Sequence, residues 1–123
     1  MNVNILKTKN YYHSITDASL CDCGYCRSYR LQVKSEYTKV ARYLELFGID
    51  ITKPYETSAM EPDDKGILEY CCCQYIVFGN CAMEYHHKID EVEFRVATSY
   101  PGTGIEQEHF VIELFPIKLK VLQ

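Results

Sequence analysis

Three thiols, those of Cys21, Cys23 and Cys26, fall within six residues of this 123-residue chain. Thiolates at such spacing bind borderline and soft cations, and zinc is the usual occupant, held about 2.3 Å from each sulfur. Cys23-x-x-Cys26 has the two-residue gap of a zinc knuckle, and Gly24 permits the tight turn that lets two sulfurs reach one ion. Cys21 adds a third thiolate from the incoming segment. Cys26 stands at the start of a helical pattern, where unpaired N–H groups and the positive end of the helix dipole favour thiolate over thiol.

Structural zinc takes four protein ligands, so a fourth is expected from elsewhere in the chain. His109 is the preferred candidate, because it opens a strand beside an apolar run that would fix its position. Cys81, His86, His87, His13 and the run Cys71-Cys72-Cys73 are the other candidates, and sequence distance does not choose among them. Consecutive strand residues point to opposite faces, so Cys71, Cys72 and Cys73 cannot all serve one ion and read first as core packing. Cys81 with His86 and His87 lacks a further ligand for a second site.

The rival chemistry is redox. Cys23-Gly24-Tyr25-Cys26 at a helix start is the arrangement of a dithiol active in thiol-disulfide exchange. Residues 16–20 are mostly polar or small, where a thioredoxin-like unit would place an apolar strand. Cys21 would also crowd the pair, and a third thiol is better explained by metal. A hydrolytic zinc site is disfavoured, since three thiolates make a poor Lewis acid and no His-Glu-x-x-His or His-x-Glu pattern supplies a proton-transfer carboxylate. A nucleic-acid role would use Arg27, Arg30 and Lys34 with nearby tyrosines. Against it, residues 54–123 carry five basic and twelve acidic side chains, and only residues 1–53, with eight and five, could present a basic face.

Residues 21–29, Cys-Asp-Cys-Gly-Tyr-Cys-Arg-Ser-Tyr, are followed by a helix closing in Leu46-Phe47-Gly48-Ile49-Asp50 and then by Lys53-Pro54. With Gln74-Tyr75-Ile76-Val77-Phe78-Gly79, this pattern resembles a group of small uncharacterised bacterial proteins described as zinc-binding, over roughly half the chain. The resemblance implies metal binding by Cys21, Cys23 and Cys26, and no particular activity.

The elements that must position these thiols follow from periodicity. Tyr29, Val33, Tyr37, Val40, Leu44 and Phe47 recur at helical spacing and predict one long amphipathic helix over 27–47, ended by Gly48, with Ile49 touching Leu44. Residues 3–6 read as a short strand, 10–18 as an irregular approach to the knuckle, and 50–66 as a loop rich in turn residues. Residues 67–79 are apolar on both faces and predict a central strand. Residues 92–99 predict a second strand with one wet face, 109–115 a third, and 117–121 a fourth beyond Pro116, which marks an edge or a bulge. One helix followed by a run of strands indicates α+β, with an antiparallel sheet of about four strands.

The length suits one domain over 1–123, large enough that a metal is not needed to complete its core. The formal charge is −4. No apolar run resembles a signal peptide or reaches membrane-spanning length, and seven reduced cysteines suit the cytoplasm. The expectation is a small zinc-binding module without catalytic activity, whose partner is a macromolecule, protein rather than nucleic acid. The alternative is a thiol-disulfide oxidoreductase using Cys23 and Cys26.

Overall fold

A computed structural model describes residues 1–82 and 84–122. Strand β3 (Ile67–Asn80) is the axis of the sheet, as its two apolar faces require. Among the described residues seven strands form an antiparallel sheet, rather than the expected four or so: β1 (Asn2–Val3), β2 (Glu56–Ala59), β3, β4 (His86–Ile89), β5 (Val92–Val96), β6 (His109–Phe115) and β7 (Ile117–Lys120). Along one edge β3 pairs with β6 and then β7, and along the other with β1 and β2, while β5 and β4 continue the sheet beyond β6. Strand β2 lies inside the segment expected to be a loop.

The cysteine run on β3 marks a change of face. Ser58 pairs with Cys72 and Ala59 with Tyr70, so Cys71 is skipped as a bulge. On the other edge Leu114 pairs with Cys73 and Ile117 with Tyr70, so the chain breaks between β6 and β7 at the same level, at Pro116. Side-chain parity is thereby reset. Leu68 and Tyr70 face the main core before the bulge, and Cys73, Tyr75 and Val77 face it afterwards. Only Cys73 of the three is fully buried, while Cys71 is exposed.

The expected single helix is two, α2 (Gly24–Glu36) and α3 (Thr38–Glu45), broken at Tyr37 with φ −127° and ψ 57°. The Tyr37 hydroxyl accepts from the Lys118 N–H at 2.9 Å and donates to the Lys118 carbonyl at 3.3 Å, which holds the break against β7. Helical spacing survives across it, so Tyr29, Val33, Val40 and Leu44 all reach the core. Gly48 closes α3 at φ +87°, and the Ile49 N–H reaches the Leu44 carbonyl at 3.1 Å with both side chains buried.

Of residues 3–6, expected as a short strand, only Val3 is in one, because a further helix, α1 (Ile5–Ser14), is capped at Asn4 and also replaces the first part of the irregular approach. Asn4 caps it by accepting the Lys7 N–H at 3.0 Å. Buried Thr8 ties it to the sheet by accepting the Phe78 N–H at 3.0 Å. At the other end Lys53 donates to the Tyr12 and Ile15 carbonyls, each at 2.9 Å. Helices α2 and α3 pack on one face of the sheet with Tyr12 of α1, while Tyr11 of α1 also reaches the other face. On the opposite face Ile76, Phe78, Ala97 and Val111 form a smaller apolar cluster with Tyr55 and Ile105 packed on it. Among the described residues no helix is long and apolar enough to cross a membrane.

Candidate metal centre

Helix α2 is positioned by its buried face. Tyr29 and Val33 are fully buried, and the Tyr29 hydroxyl meets that of Tyr75 at 2.6 Å, with Tyr75 donating to the Ile51 carbonyl at 2.6 Å. Tyr70 of β3 donates its hydroxyl to the Tyr25 carbonyl at 2.5 Å, fixing the first turn of α2 over the sheet. Ser28 holds the far side by accepting the Leu122 N–H at 2.9 Å. The start of α2 is therefore a rigid platform for Cys23 and Cys26.

Cys23 is the N-cap residue, and its sulfur accepts the Cys26 N–H at 3.5 Å. Before it, a 3₁₀ turn (Asp17–Ser19) delivers Cys21. The three Sγ atoms lie within 4.8 Å of one another. Sulfurs bound at about 2.3 Å to one tetrahedral zinc are about 3.8 Å apart, so small rotations of these side chains close the set. Cys21 and Cys23 are exposed and Cys26 is half-buried, with its sulfur 3.9 Å from the Thr57 hydroxyl on β2.

The two α2 thiols differ. The hydrogen bond from the Cys26 N–H, aided by those from the Cys26 and Cys21 thiols, outweighs partial burial and lowers the pKa of Cys23. Burial, followed by its hydrogen bonds with Cys23 and Cys21, pushes Cys26 up to about 12. Of the two thiols, Cys23 thus gives up its proton more readily than an ordinary cysteine and Cys26 less readily.

Among the described residues, no other histidine, cysteine, aspartate or glutamate joins this group. His109 opens β6 as expected, with Nδ1 2.8 Å from the Gln107 carbonyl and Nε2 2.8 Å from the Thr103 hydroxyl, so both ring nitrogens have partners away from the thiols. His13 sits exposed in the last turn of α1. His86 and His87 are on β4. His86 contacts Glu84 at 2.9 Å and His87 stacks on Tyr43 at 4.2 Å between ring centres. Cys81 is half-buried against the core.

A small cavity of about 160 Å³ adjoins the thiols, lined by Cys21, Cys26, Arg30, Tyr55, Glu56 and Thr57 among others. Arg30 is one helical turn beyond Cys26 and makes a loose ion pair with exposed Asp22 at 3.5 Å, while its Nε is buried without a partner. The sequence groups Arg30 with the basic residues Arg27 and Lys34 and offers only turn residues around Glu56 and Thr57, so it does not signal that these three share a cavity with the thiols. The alternating exposure of 56–59 belongs to a strand, and its polar character concealed the signal. Comparison with protein-family models, with curated proteins and with solved structures gives no match.

Proposed function

We propose that this chain is a small zinc-binding module, with the ion held by Cys21, Cys23 and Cys26. The observation that carries this reading is the convergence of the three sulfurs to within 4.8 Å on a helix start buttressed by Tyr70 and Thr57. Bound there, zinc joins the segment before α2 to the helix itself, so coordination energy becomes folding energy. The ion's role is structural, and the partner is a protein rather than a nucleic acid, consistent with the acidic balance of the second half of the chain. Protein purified without a chelating tag should carry close to one zinc per chain, and Cys23→Ser should lose the metal and melt several degrees lower. Unchanged metal content and melting temperature in that variant would defeat the reading.

A second reading follows from the contrast between Cys23 and Cys26, which suits thiol-disulfide exchange. The Cys23 thiolate would attack one sulfur of a substrate disulfide and release the other as a thiolate, which takes a proton from water. Cys26, surrendering its proton, would then displace the bound half, leaving the substrate as a dithiol and Cys23–Cys26 as a disulfide. Metal-free protein that turns over a disulfide substrate, with turnover lost in Cys23→Ser, would place this reading first.

A further inference from the structure

Three protein thiolates leave a zinc ion one ligand short of its usual four. Among the described residues no fourth side chain completes the group. The cavity against Cys21 and Cys26 is therefore the natural source of that ligand, and its walls specify what enters. Its volume, about 160 Å³, is well below the roughly 300–1,000 Å³ of sites for drug-sized ligands, so it suits a molecule of amino-acid size.

Two opposite charges line it. Arg30 contributes a guanidinium whose one ion pair, to Asp22 at 3.5 Å, is loose and whose Nε has no acceptor. Glu56 contributes an exposed carboxylate that forms no ion pair among the described residues, with Arg30 or any other cation. A cation and an anion that share a small cavity without neutralising each other suit a zwitterion, whose carboxylate and ammonium groups each meet an opposite charge. The Thr57 hydroxyl lies on the same wall. A set of three sulfurs favours a fourth soft donor over an oxygen.

We infer that the site takes a small amino-acid thiol of the cysteine class as the fourth ligand of its metal, with the carboxylate at Arg30 and the ammonium at Glu56. This rests on the metal-binding reading above. On binding, the ligand thiol releases its proton to solvent, its sulfur forms one bond to the metal, and the displaced water leaves. No oxidation occurs.

The test uses the full chain loaded with one cobalt(II), whose thiolate charge-transfer and ligand-field absorption reports the number of bound sulfurs, titrated with L-cysteine, cysteamine, 3-mercaptopropionate and L-serine. L-cysteine should change the spectrum toward four sulfurs at a concentration about tenfold lower than cysteamine or 3-mercaptopropionate, each of which forgoes one ion pair. L-serine should leave it unchanged. Arg30→Gln should erase the advantage of L-cysteine over cysteamine, and Glu56→Gln its advantage over 3-mercaptopropionate, so either variant remains informative if the other folds poorly. Equal affinity for all three thiols, no response to any of them, or passage of cobalt into the filtrate as a cysteine complex would overturn the inference while leaving metal binding intact. Failure of the chain to take up cobalt at all would remove the metal reading and this inference with it.

Discussion

Cys23 and Cys26 are three residues apart and experience opposite surroundings. The Cys23 sulfur receives a backbone N–H from the first turn of α2, whereas the Cys26 sulfur is half-buried under β2 and donates to its neighbours. A depressed pKa populates the thiolate at lower pH, and a raised one delays it. In the metal-free chain near neutral pH, Cys23 should therefore react with iodoacetamide about tenfold faster than Cys26, whose reaction should rise only as pH approaches about 12. Alkylation resolved by peptide mass spectrometry checks this, and equal rates at the two residues would contradict it. Stoichiometric zinc should protect both. At this scale the sequence was informative, because thiol spacing and helix start are local properties. The fourth ligand was not legible: His109 had the right chemistry, but only tertiary placement reveals that Gln107 and Thr103 already engage its ring.

Among the elements, the docking of α1 is exposed to a single change at Gly48. It packs across Gly48 so closely that a β-carbon there would stand 2.7 Å from the Ile5 carbonyl oxygen and 2.9 Å from the Lys9 nitrogen, at a φ of +87°. Both contacts are with backbone, which cannot rotate away. Gly48→Ala should cost about 3 kcal/mol, combining left-handed strain with displacement of α1. Gly66, at φ +76° with open space around it, isolates the strain, and Gly66→Ala should cost only about 1 kcal/mol. Urea unfolding of both variants separates the two effects, and equal costs would show that α1 yields to the added methyl. The C-terminal end of α3 was legible because glycine and the following apolar residue announce it locally. Helix α1 was not, since its apolar pattern is weak and it is secured to distant backbone, by the Asn4 N–H at the Phe78 carbonyl and by the Thr8 and Lys53 side chains. The break at Tyr37 escaped for a related reason: the buried stripe continues across it, and the restraint is a hydroxyl held by β7.

Across the whole molecule, the core is stitched by phenols as well as packed by aliphatic side chains. Tyr12, Tyr29 and Tyr75 are buried, with the Tyr12 hydroxyl donating to the Ile76 carbonyl at 2.8 Å and the Tyr29 and Tyr75 hydroxyls bonded to each other. The apolar count of the sequence predicted a substantial core, but no periodicity could reveal that α1, α2 and the segment at Ile51 converge on β3 through these hydroxyls. Burial raises all three phenol pKa values well above their ordinary range, and burial likewise raises Cys73. The neutral forms are thus the ones the fold accepts. An acid whose folded pKa is raised contributes stability that is complete below its unfolded pKa and is lost as pH rises from there toward the folded value. Cys73 begins this loss above about pH 8.5 and the tyrosines above about pH 10. Each such group withdraws about 1.4 kcal/mol per pH unit above its unfolded pKa, so four of them draw on the same pool of about 5–15 kcal/mol that holds a typical domain together. The chain should therefore unfold cooperatively in alkali, its phenolate absorbance rising in a step that coincides with the loss of circular dichroism. Gradual phenol ionisation with the fold intact beyond about pH 12 would mean that these hydroxyls reach solvent without global opening.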